Sequence, residues 1–101
     1  MIARTTAVEI VVASLKEVFE QVGTPIPENI SDDTVLVGNE AVIDSLGVVS
    51  LIVEVEQRLE GEHGISVTLA NDKAMSARNS PFRTVGVLAD HCVAMAQEAA
   101  S

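Results

Sequence analysis

Ile43-Asp44-Ser45-Leu46-Gly47-Val48-Val49-Ser50-Leu51-Ile52-Val53-Glu54-Val55-Glu56-Gln57-Arg58-Leu59-Glu60-Gly61-Glu62 is the stretch that decides the fold class. Its middle is rich in β-branched residues, which favours a strand. Three features favour a helix instead. Asp44 is a good N-cap, because its carboxylate accepts from a backbone N–H of the first turn. Glu56 to Glu60 are good helix formers. No glycine or proline interrupts between Gly47 and Gly61, a span too long for an ordinary strand. The reading predicts a helix over 46–62 that ends around Gly61 to Gly64. Gly47 reads as a defect of its first turn, costing up to about 1 kcal/mol relative to Ala.

Upstream, Thr6-Ala7-Val8-Glu9 fits a capping box, and Val8, Val11, Val12, Leu15, Val18, Phe19 and Val22 follow at helical spacing. Gly23 and then Thr24-Pro25 end this first helix. Residues 23–43 contain Pro25, Pro27, Asn29, Ser31, Asp32, Asp33, Gly38 and Asn39 and form a long loop. Its apolar anchors are Ile26, Ile30, Val35, Leu36 and Val37. Such a loop suits a crossover between two helices that are not hairpin partners. Downstream, Ile65 to Leu69 is an alternating connector, and Asn71 to Arg78 reads as a short helix stopped by Asn79-Ser80-Pro81. Thr84 caps a last helix with Val85, Leu88, Ala89, Cys92, Met95 and Ala96 on one stripe. The expectation is one all-α domain over 1–101, with three longer helices, one short helix and a long first crossover.

Composition narrows the functions. Fifteen acidic residues against six basic give a formal net charge of −9. Nucleic-acid phosphates demand a basic surface, so that class is excluded. Anionic membranes are disfavoured for the same reason, and no apolar run is long enough to span a bilayer. Residues 17–62 hold eleven acids and a single base, Arg58, whereas Lys73, Arg78 and Arg83 follow. An acidic face of this kind steers a protein toward basic partners, or simply keeps it solvated. With Phe19 and Phe82 the only aromatics, the core is mostly aliphatic. Cys92 is the one cysteine, so no internal disulfide forms. The N-terminus lacks the pattern of a secretory signal, and a reducing, cytoplasmic setting and a monomer are expected.

Ser45 is the candidate for chemistry. As the first residue of a helix it lies beside backbone N–H groups that lack intrahelical partners, at the positive end of the helix dipole. That end stabilises an anion, so a phosphodiester on the Ser45 oxygen is favoured there. Asp44 beside it is placed to help position a metal ion that accompanies a pyrophosphate donor. Leu46 either anchors the helix start in the core or lies at the mouth of an apolar pocket. The same residues also suit an ordinary helix start, since Asp and Ser are common there. His91 and Cys92 have no partners at zinc-ligand spacing, and Asp32-Asp33 lacks the glycine and twelfth-position Glu of a calcium loop. Neither His63 nor His91 stands in a recognisable hydrolase triad context with Ser45. No metal site or catalytic residue is expected.

The stretch from Ala41 to Glu56 resembles the phosphopantetheine attachment region of acyl carrier proteins, with the Asp-Ser-Leu motif of that family on Asp44, Ser45 and Leu46. The order of parts from about residue 5 to 96 is similar as well. The resemblance implies an acyl-carrier-like four-helix bundle. It implies that a phosphopantetheinyl transferase moves 4′-phosphopantetheine from coenzyme A onto Ser45. Acyl intermediates of fatty acid, lipid or polyketide-like biosynthesis would then ride as thioesters on the arm, presented to loading, modifying and acyl-transfer enzymes. Within it, Val48, Val49, Glu54, Glu56 and Glu60 are the expected partner-docking residues, and the chain is a carrier and not an enzyme. Gly47 and Ser50 stand where carriers of fatty acid synthesis usually have acids, and the segment from Leu69 to Arg83 is longer and more basic. These departures point to a specialised carrier. The alternative is an unmodified acidic helical interaction domain that grips a partner with its apolar helix.

Overall fold

The structure, a computed structural model, describes residues 2–71 and 80–99. Among these it is helical, with α1 over Arg4–Val22, α2 over Ser45–His63 and α3 over Val85–Ala99, and no strand. The short helix expected from Asn71 to Arg78 falls, but for Asn71, outside the described residues. α1 packs against both α2 and α3.

α1 buries Ala7, Ile10, Val11, Leu15, Val18 and Phe19, a stripe at the spacing of a helix face. Ser14 lies in the same stripe and is fully buried; its hydroxyl donates to the Ile10 carbonyl at 2.7 Å, so it carries no unmet hydrogen bond. Two expectations for this helix are corrected. The capping box at Thr6–Glu9 does not form, because the helix begins earlier, at Arg4, with Ala3 as an N-cap that makes no side-chain bond. The cause is tertiary. Ile2 is buried, and the Arg4 guanidinium is held by Asp32 at 2.8 Å and Asp90 at 2.7 Å, which draws the chain into the helix ahead of the threonines. Val22, expected on the buried stripe, is exposed, the last residue of α1 before its Gly23 cap.

α1 and α2 end alike. Gly23 and Gly64 both adopt left-handed backbone, with φ of 74° and 65°, which costs a glycine little. The N–H groups of Gly23 and Thr24 return to Glu20 and Phe19, and those of Gly64 and Ile65 return to Glu60 and Leu59.

The crossover between α1 and α2 is a tethered segment. Val35 pairs with Thr84 in an isolated antiparallel bridge, and the Leu36 N–H donates to the Arg83 carbonyl at 2.7 Å. The N–H groups of Val85 and Gly86 donate to the carbonyls of Thr34 and Asp32. This short ladder accounts for the loop's length, since it must reach the start of α3, and it sinks Leu36 completely into the core. α3 starts as expected, with the Thr84 hydroxyl accepting from the Val87 N–H at 3.2 Å, and buries Val85, Leu88, Ala89, Cys92 and Ala96. Met95 is half-buried against the same core.

The connector after α2 alternates as read: Ile65 and Leu69 are buried, Ser66 and Thr68 exposed. Leu69 is gripped through its backbone from both sides. Its N–H donates to Glu56 Oε2 of α2 at 2.7 Å, and its carbonyl lies 2.8 Å from His91 Nε2 of α3. A carbonyl only accepts, so Nε2 carries the proton. Phe82 meets the same imidazole edge to face, with ring centroids 5.8 Å apart.

Candidate functional site

The site is built where the crossover enters α2. Asp44 has extended backbone (φ −87°, ψ −176°), and its carboxylate accepts from the Gly47 N–H at 2.8 Å. The Asp44 carbonyl accepts from Val48. Ile43 and Val48 flank this cap, one before it and one a turn later, and both are half-buried against the core, the arrangement of a hydrophobic staple. Side-chain cap and staple together fix the angle at which the chain enters the helix.

Ser45 is thus the first residue of α2, exposed, on a turn that its neighbours hold rigid. It borders a cleft of about 380 Å³ walled by Leu36, Val37, Ala41, Ile43 and Val48. The crossover ladder supplies one wall of this cleft and the first turn of α2 the other. A hydroxyl here is open to a modifying enzyme, and a phosphate on it would face the positive end of a helix of 19 residues.

Leu46 is not among the residues that line the Ser45 cleft. It is 78% exposed, so it does not anchor the helix in the core. The buried anchors of α2 are Leu51, Ile52, Val55 and Leu59. The residues expected to meet partners separate into two groups. Val49 is 59% exposed and Glu60 is exposed. Val48 is turned into the cleft, Glu56 is spent on the Leu69 N–H, and Glu54 is paired with Arg58 at 3.2 Å. Val53, overlooked in the sequence, is 46% exposed and completes a stripe with Leu46 and Val49. The signal for it was present: the apolar residues of α2 exceed one face, and positions 46, 49 and 53 recur at helical spacing.

Neither histidine is placed to activate Ser45. His63 ends the helix that Ser45 begins, roughly 27 Å away at 1.5 Å per residue. His91 is engaged with Leu69 and Phe82. Among the described residues no three His, Cys, Asp or Glu side chains gather into a metal-sized cluster. Cys92 is fully buried, and desolvation, with a smaller contribution from the Glu56 charge, pushes its thiol up to about 12. It is chemically inert in the fold. No described helix is long and apolar enough to cross a membrane. Compared with family models, with curated proteins and with solved structures, the chain matches none of them.

Proposed function

We propose that this chain is an acyl carrier protein whose phosphopantetheine arm is attached to Ser45. The observation that carries the reading is the position of Ser45: exposed, first in α2, beside a pinned Asp44 cap, and on the lining of a cleft walled mainly by apolar side chains. Its hydroxyl oxygen forms the new bond to the phosphorus that carries pantetheine in coenzyme A. The adenosine bisphosphate portion leaves, and the hydroxyl proton passes to a base of the transferase. The protein supplies no acid, base or nucleophile beyond that oxygen. Its tasks are to stabilise the phosphodiester at the helix start and to shelter an apolar chain.

The exposed stripe of Leu46, Val49 and Val53 beside the acidic Glu60 is the surface offered to partner enzymes. It favours partners with an apolar groove rimmed by basic residues, met through fast, weak encounters. The same stripe also serves the second reading, an unmodified interaction domain, so covalent chemistry is what separates the two.

The test is the intact mass of the chain after incubation with coenzyme A and broad-specificity phosphopantetheinyl transferases, beside Ser45→Ala. One phosphopantetheine is gained by the parent and none by the variant. A folded parent that gains nothing, with transferases active on other carriers, refutes the proposal and leaves the interaction domain.

A further inference from the structure

Two clefts border the turn that carries Ser45. The first opens on Ser45 itself. The second, about 200 Å³, lies on the α1 side of the same turn and is walled by Val18, Phe19, Val22 and Val42. Ile43 and Asp44 line both. The Asp44 carboxylate is committed to the Gly47 N–H, so the apolar part of the partition is the Ile43 side chain.

Ile43 is held in that position from two directions. On the loop side, the N–H of Val42 donates to the Val35 carbonyl at 2.9 Å, which ties the backbone just before it to the crossover ladder. On the helix side, Ile43 presses so closely on the first turn that a Cβ added to Gly47 would lie 2.9 Å from its own Cβ. The second cleft is walled mainly by apolar side chains, and two of them, Val22 and Val42, are exposed. Extending an apolar chain into it would remove that surface from water.

We propose that Ile43 is the residue that limits acyl chain length in this protein, by closing the first cleft against the second. The inference rests on the carrier reading of Ser45. A chain on a flexible arm anchored at Ser45, on the lining of the first cleft, fills that cleft and stops at Ile43. Shortening Ile43 joins the clefts and admits longer chains.

The experiment loads a ladder of saturated acyl-phosphopantetheines of increasing length onto Ser45 of the parent, Ile43→Val and Ile43→Ala. It reads thioester cleavage by hydroxylamine, together with the methyl NMR shifts of Val18 and Val22. Protection rises about fourfold for each methylene buried, the equivalent of about 0.8 kcal/mol, until the cleft is full and the protection levels off. In the parent the plateau comes early and the Val18 and Val22 methyls do not move. In Ile43→Ala the plateau moves to longer chains, and those methyls shift only with the added length; Ile43→Val falls between. Ile43→Val keeps the β-branch and most of the packing, so it answers the question should the alanine variant fail to fold. An unchanged plateau with unmoved Val18 and Val22 methyls in a folded variant overturns the partition while the carrier stands. Absence of any mass gain at Ser45 overturns the carrier reading and the partition with it.

Discussion

Gly47→Ala is expected to destabilise the protein, against the propensity of the two residues. In an exposed helix interior the change would stabilise by about 1 kcal/mol. Here Gly47 is buried, and the new Cβ lies 2.9 Å from Ile43 Cβ and 3.3 Å from Asp44 Oδ1. Ile43 Cβ is fixed to the backbone and cannot swing aside, so the entry loop or the first turn must move. Overpacking of this kind costs about 2 kcal/mol, and disturbing the Asp44 cap costs about 1 kcal/mol more. Set against the propensity gain, the net loss is about 2 kcal/mol, a fall in melting temperature of roughly 10 °C for a chain of this size. Urea and thermal unfolding followed by circular dichroism measure it. The cause is checked in the Ile43→Gly background, where the offending Cβ is gone and Gly47→Ala is expected to be neutral or stabilising. An alanine variant as stable as the parent, or a cost that persists unchanged in the Ile43→Gly background, refutes the reasoning.

Ser45→Ala, the variant that would remove the proposed attachment point, is expected to change stability by no more than about 0.5 kcal/mol, because the hydroxyl is exposed and the cap is Asp44; a urea titration checks this. Glu56→Ala is expected to cost about 1–3 kcal/mol by stranding the Leu69 N–H, while Glu56→Gln, whose amide oxygen still accepts, keeps most of it. Burial holds the Cys92 thiol up at about 12, against 9.0 when free, so its contribution to stability is complete below pH 9 and is lost as the pH rises from about 9 to 12. At pH 10 the parent therefore loses on the order of 1 kcal/mol relative to pH 8 that Cys92→Ala does not, read as the difference between their unfolding curves. Leu46→Ser and Val49→Ser are expected to leave the melting temperature nearly unchanged and to slow acyl transfer to partner enzymes; a large loss of stability would place these side chains in the core.

What could be read from the sequence, and what could not, divides by the range of the forces involved. The bounds of α2 were legible because its signals are local: Asp44 accepts from a residue three positions on, and Gly64 closes the other end. The start of α1 was not, because Asp32 and Asp90, which hold Arg4, lie 28 and 86 residues away. Gly47 was misjudged as a defect for a related reason, since propensity is silent about a side chain that arrives from outside the helix. The subtlest case is the double apolar character of α2. Leu51, Ile52, Val55 and Leu59 fill one face against the core, and Leu46, Val49 and Val53 form a second stripe that faces water. Periodicity detects both stripes and cannot say which is inside. Packing decides it, because one face of the helix suffices to cover α1, and each apolar side chain left outside forgoes about 1.5–3 kcal/mol of burial. A polar residue at 46 or 49 would serve solubility better at no loss to the core. The stripe lies at the end of α2 that carries Ser45, so under the proposed carrier reading a partner enzyme that gripped it would also be brought to the serine.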